Sequence, residues 1–152
     1  HPLVPDVEST VEMAAPIYYI KGAWVFRMLE KWLGQETMDR LIRTFREQHP
    51  YAPVTTEAFV LQALATAGQD HDLDRFFDQW LFGTGMPSLQ VEYTHQADSL
   101  TGTVSQSTRH SADEQAFFFL PALVIRAEQD GRVAQKSLSM LGQSIGFSLS
   151  LP

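Results

Sequence analysis

The side chains of this chain that could do chemistry are five histidines, an aspartate-rich stretch and a tyrosine pair. His1, His49, His71, His95 and His110 are scattered, and no two stand four apart on an expected helix. Without an H-E-x-x-H, the two-imidazole zinc face of a metallopeptidase is missing from these residues. Asp70, Asp72, Asp74 and Asp78 crowd together but lack the loop spacing and closing glutamate of an EF-hand. Their expected work is to cap and solubilise a helix, with Asp72 as its N-cap. There is no glycine-rich phosphate loop and no G-x-S-x-G elbow. Zero cysteines exclude a disulfide scaffold, a thiolate metal site and a cysteine nucleophile.

The tyrosines stand in Pro16-Ile17-Tyr18-Tyr19-Ile20-Lys21-Gly22-Ala23-Trp24. Proline suits the opening turn of a helix, and Gly22 admits close approach by another backbone or a ligand. A tyrosine at such a helix start can point its hydroxyl into a cleft. A phenol, with a reference pKa of about 10, is protonated at neutral pH and can donate to a developing oxyanion. Aromatic pairs at helix ends are also common packing elements, and spacing alone favours that account.

The elements that must position these residues fall into two halves, split near Gly83-Thr84-Gly85-Met86-Pro87. Before the split the apolar period is helical. Val25, Met28, Leu29 and Trp32 follow it, as do Met38, Leu41, Ile42 and Phe45. Thr55 is the expected N-cap of a helix carrying Phe59, Val60, Leu61 and Leu64, and Leu73, Phe76, Phe77, Trp80 and Leu81 form a shorter fourth helix. Gly34 and Gly68 stand where helices should stop in a left-handed residue. An extended arm, His1 to about Ala15, precedes them.

After Pro87 the period is two. Leu89, Val91 and Tyr93 alternate with polar residues, as in a half-buried strand. Leu100 to Ser107 reads as a second strand, and Phe117 to Ala127, apolar on both faces, as one in the middle of a sandwich. Asp130-Gly131 supplies a type I′ hairpin into Val133–Met140, and Ile145, Phe147, Leu149 and Leu151 alternate in a fifth strand. The predicted class is therefore α+β, with a helical portion at 1–87 and a small antiparallel β-sandwich at 88–152 that has room for further strands.

The chain has 152 residues, 44% of them hydrophobic, with 11 Lys+Arg against 18 Asp+Glu and a net charge of -7. That content is too apolar for a disordered chain. The acidic balance argues against nucleic acid as a partner. Arg40, Arg43 and Arg46 share a helical stripe, but Asp39 and Glu47 interleave them, which reads as a solvated face. No apolar run reaches the roughly 18–20 residues of a membrane span. Opening at His1 without a methionine and stopping at Leu151-Pro152 inside a strand, the chain reads as a piece of something longer.

Tyr19-Ile20-Lys21-Gly22-Ala23 resembles the Y-x-K-G-A motif of the zinc metallo-aminopeptidases of the aminopeptidase N and leukotriene hydrolase family. His1-Pro2-Leu3, Thr55-Thr56-Glu57-Ala58-Phe59, Phe76-Phe77-Asp78-Gln79-Trp80-Leu81 and Gly85-Met86-Pro87 continue the match in order. Phe119-Leu120-Pro121 and Phe147–Pro152 are similar to the β-sandwich that follows. The glycyl aminopeptidases share a Tyr-Tyr-x-Lys-Gly segment but lack the F-D-Q-W ending.

The resemblance implies that residues 1–87 are the rear of a thermolysin-like catalytic domain. In such a domain zinc polarises the substrate carbonyl and supplies the nucleophilic water. The family's zinc ligands, general base and amino-end recognition segment all lie upstream of this chain. One catalytic residue carries over: Tyr19, the donor to the tetrahedral intermediate. Tyr18 remains structural, and Lys21, about 200° around an α-helix from Tyr19, does not share its site.

The expectation is a parent enzyme that removes N-terminal residues from peptides, and a chain that binds no zinc and is inactive alone. A non-catalytic scaffold built on the same fold is the alternative, and intact or degenerate ligands upstream of His1 would separate the two. Expected partners are the parent's peptide substrate, the zinc-binding portion itself and, in isolation, a second copy through the face near Tyr18, Trp24 and Phe26. Location is left open.

Overall fold

The computed structural model describes residues 16–68, 72–109 and 117–151, with side chains from residue 19 onward. The expected arm, His1, His71, His110 and the ring of Tyr18 lie outside the described residues. Backbone packing divides the chain into two compact units, His1–Thr84 and Gly85–Pro152.

The helical unit begins with a π turn, π1 (Pro16–Lys21), that runs directly into α1 (Gly22–Leu33). Val25, Leu29 and Leu33, spaced by four, form the buried stripe of α1. Gly34 ends the helix at φ 83 and ψ 152, a combination essentially restricted to glycine, while its N–H still bonds the Glu30 carbonyl at 2.9 Å. The next helix begins one residue later, and α2 (Gln35–Gln48) buries Met38 and Leu41. In α3 (Thr56–Ala67) the Thr55 hydroxyl accepts from the Ala58 N–H at 3.2 Å, the expected cap. The Arg40 guanidinium reaches the carbonyl of Thr66, 3.3 Å away, near the far end of α3.

Asp72 caps α4 (Leu73–Phe77) through the Arg75 N–H. The expected single helix then widens into a second π turn, π2 (Asp78–Phe82). A π turn closes i→i+5 and widens the helix by about one residue per turn. Leu81 remains buried with Phe76 and Phe77, as the apolar spacing predicts. Rings knit these helices together. Phe59 of α3 meets Phe26 of α1 at 5.2 Å, Phe45 of α2 at 5.4 Å and Phe77 at 6.5 Å, and Trp32 packs on Phe76 at 5.7 Å.

The described residues of the second unit form five antiparallel strands: β1 (Met86–Gln96), β2 (Ser99–Arg109), β3 (Leu120–Gln129), β4 (Arg132–Met140) and β5 (Ser144–Ser150). They form a three-stranded sheet, β1-β2-β5, and a two-stranded sheet, β3-β4. Asp130 at φ 50 and Gly131 at φ 77 make the type I′ turn between β3 and β4.

Two strand expectations change. The strand placed at Phe117 to Ala127 starts only at Leu120 and, among the described residues, pairs with β4 alone, at the edge rather than the middle. Pro121 has no N–H to give the ladder, and the pairing is irregular between Leu120 and Leu123.

β1 is not half-buried either. The register sets Leu89 opposite Gln106, Val91 opposite Val104 and Tyr93 opposite Gly102. Residues directly opposite share a face, so the Leu89–Val91–Tyr93 stripe lies on the same side as buried Val104, Phe147 and Leu149. The alternation identifies the inner side correctly. That side is covered over β2 and β5 but open over edge strand β1, where Val91 is 49% and Tyr93 65% exposed.

Candidate active-site tyrosine and its supports

Tyr19 lies in π1, where an α-helix start was expected. π turns are rare and recur at functional sites. Its ring is 78% exposed, followed by exposed Ile20 and, one turn on, by Trp24 at 64%. No described residue hydrogen-bonds the Tyr19 hydroxyl. A phenol so placed is a donor facing outward, available to an acceptor brought to that surface.

What fixes the turn comes from two sides. Behind it, Val25 and Leu29 bury the body of α1. At its end, Lys21 is half-buried and directs Nζ at the Gly83 carbonyl, 3.5 Å away, just past π2. Burial lowers the Lys21 pKa from its usual 10.5, because partial desolvation disfavours the ammonium. Tyr19 and Lys21 thus point into different surroundings, one solvent and one the rear of a neighbouring helix end.

The remaining candidates do not gather around Tyr19. His49 is half-buried with its ring 4.7 Å from that of Phe45, a packing contact, and His95 is exposed on β1. Asp72 is an N-cap, and Asp74 and Asp78 sit exposed on α4 and π2. A surface groove beside the end of α2, lined by Asp39, Arg43, Arg46, Glu47, His49 and Tyr51, mixes both signs of charge and does not include Tyr19. Among the described residues no three His, Asp or Glu side chains come together as a metal site. The described residues therefore do not fit a zinc centre. No helix among them is long and apolar enough to cross a membrane.

The model of the peptidase family M1 domain matches residues 1–80, just over half of the 152. The chain belongs to peptidase family M1. Aminopeptidase N of Escherichia coli is 30% identical over 138 residues, which cover 88% of this chain and 16% of that protein. Aminopeptidase N of Lactococcus lactis is 33% identical over 88 residues, 58% of this chain and 10% of the relative. Aminopeptidase M1 of Arabidopsis thaliana is 30% identical over 95 residues, 60% and 11% respectively. The chain thus spans 16% or less of the length of these M1 relatives.

The link between the tyrosine segment and the F-F-D-Q-W-L run is not legible in the sequence. Lys21 belongs to the tyrosine motif, and Gly83 follows the F-F-D-Q-W-L run. The angular argument that separated Lys21 from Tyr19 was sound for an α-helix but silent about what Lys21 would reach. A lysine within an otherwise apolar turn, Ile20-Lys21-Gly22-Ala23, was the available signal.

Proposed function

We propose that this chain is part of a metallo-aminopeptidase that releases N-terminal residues from peptides, and that Tyr19 is its oxyanion donor. The observation that carries the reading is the motif tyrosine held on a π turn with its phenol turned to solvent. When the carbon of a peptide carbonyl becomes tetrahedral, its oxygen gains negative charge. A phenol O–H fixed against that oxygen is worth more to the transition state than to the ground state, so it speeds the chemical step. Zinc is the metal the family resemblance implies for the parent. The chain's own contribution is the donor and the scaffold that holds it.

Support comes from the family membership, from relatives named as aminopeptidases and from the exposure of Tyr19 beside Ile20 and Trp24. These exposed apolar side chains form a face suited to the zinc-binding portion of the parent. In isolation these exposed side chains would associate with a second copy.

The test is steady-state hydrolysis of an aminoacyl-arylamide by the full-length protein. Tyr19→Phe, which removes only the hydroxyl, should lower kcat by about 10²–10³-fold, or roughly 3 kcal/mol, with little change in KM. Unchanged kcat would remove Tyr19 from the mechanism. The 152-residue chain alone, with zinc added, should turn over no substrate, and measurable turnover would overturn the division of labour.

A further inference from the structure

Lys21 is the last residue of π1, and its partner stands 62 residues later in the chain. The Gly83 carbonyl lies just beyond π2, in the stretch where a helix leaves carbonyls without intrahelical donors and concentrates negative potential. An ammonium is the favoured partner there. The acceptor's residue is also constrained in size. A Cβ on Gly83 would lie 2.5 Å from the Gln79 carbonyl oxygen, so the backbone follows a path closed to other residues.

Two side chains of the turn that Lys21 ends face solvent. Tyr19 and Ile20 are exposed, at 78% and 61%, and the buried stripe of α1 begins only at Val25. Half-burial of the ammonium carries a desolvation cost, seen in its lowered pKa, and the carbonyl contact offsets part of it. The α4–π2 helix is in turn anchored by buried Leu73, Phe76, Phe77 and Leu81. A rigid helix end is therefore tied through one side chain to the exposed turn.

We propose that Lys21 is a positioning residue for Tyr19: docked on the Gly83 carbonyl, it locks π1 and so aims the phenol two residues earlier. This rests on the oxyanion role argued above for Tyr19. Lys21 touches no substrate. It converts the stability of the F-F-D-Q-W-L helix into precision at the phenol, where a displacement of about 1 Å can cost on the order of a hundredfold in rate.

The experiment is a double-mutant cycle in the full-length protein. Lys21→Met keeps the aliphatic stem and removes the ammonium. It should lower kcat about ten- to a hundredfold with KM within about twofold, and Lys21→Arg should recover most of the loss. The double variant Tyr19→Phe/Lys21→Met should be no slower than Tyr19→Phe alone, since a group acting through the hydroxyl has nothing to act on without it. Independently of activity, amide hydrogen exchange across residues 16–24 should quicken in Lys21→Met while α2 and α3 stay unchanged.

Losses that multiply in the double variant, or exchange that quickens evenly through the helical unit, overturn the proposal. If Tyr19→Phe is impaired and Lys21→Met is not, this proposal alone falls. If Tyr19→Phe keeps full activity, the phenol's role falls and takes this one with it. Should Lys21→Met not fold, Lys21→Gln carries the same cycle. If that also unfolds the protein, Lys21 is a structural residue, which overturns the positioning role.

Discussion

The helical unit joins all four of its α-helices through ring contacts, and the strand unit packs a mixed core of Phe and aliphatic side chains around one buried amide. Phe76 and Phe77 are sealed between Trp32 and Phe59, which reaches Phe26 and Phe45 in turn. In the strand unit Gln106 is 3% exposed. Its Nε2 donates to the carbonyls of Phe118 at 2.8 Å and Gly142 at 2.7 Å, and its Oε1 accepts from the Phe118 N–H at 3.1 Å. One side chain thereby fastens β2 both to the segment entering β3 and to the turn between β4 and β5. Helices satisfy their own backbone and need only apolar contact, so rings suffice. Two small sheets leave connecting backbone that must find partners inside, and a glutamine offers both a donor and an acceptor.

The largest effect that would break this contrast is expected at Phe76. Phe76→Ala removes a fully buried ring and leaves a cavity, costing about 3–5 kcal/mol. All three tryptophans, Trp24, Trp32 and Trp80, belong to the helical unit, so tryptophan fluorescence in a urea titration reads that unit. The midpoint should fall sharply. A transition left in place would mean that the rings are decoration rather than core.

Next comes Gln106. Gln106→Leu keeps the volume close but strands the Phe118 N–H and two carbonyls, each a penalty of about 1–3 kcal/mol when buried. Relaxation and entering water reduce the sum, so the expected loss is on the order of 2–4 kcal/mol. Strand-unit amides followed by hydrogen exchange should show it. A neutral outcome would make the strand unit as purely apolar in its energetics as the helical one.

The same contrast explains what was legible in the sequence. Helix periodicity found Val25, Leu29, Met38, Leu41, Phe76 and Phe77 as buried, and the caps at Thr55 and Asp72 were readable because their mechanism is local. The Asp130-Gly131 turn was readable for the same reason. The π turns were not, since an i→i+5 closure leaves no simple residue signature. Nor was the Lys21–Gly83 contact, which joins residues far apart in the chain. Gln106 carried a visible mark, a polar residue in step with Leu100 and Val104, but its three partners lie in irregular segments that periodicity does not describe. Of the candidate site, sequence supplied Tyr19 by motif and nothing of the support beneath it.

The smallest expected effect sharpens the comparison at β1. In a helix the face marked by periodicity is the face that packs, because the other helices lie against it. In a sheet, alternation sorts side chains to two sides, and whether a side is covered depends on another layer. Val91 and Val104 are paired across the ladder on one side, yet Val104 is 0% exposed and Val91 49%. Val104→Thr places a hydroxyl in a sealed site and should cost about 1–3 kcal/mol. Val91→Thr, with the same change in shape and polarity, can hydrate its hydroxyl and keeps β-branching, so stability should move by no more than about 0.5 kcal/mol. The two variants, compared by urea unfolding of the strand unit, isolate cover from strand propensity. Equal losses would mean that β1 packs beneath something as β2 does, and a large gap between them would locate the edge of the sandwich core between two directly paired valines.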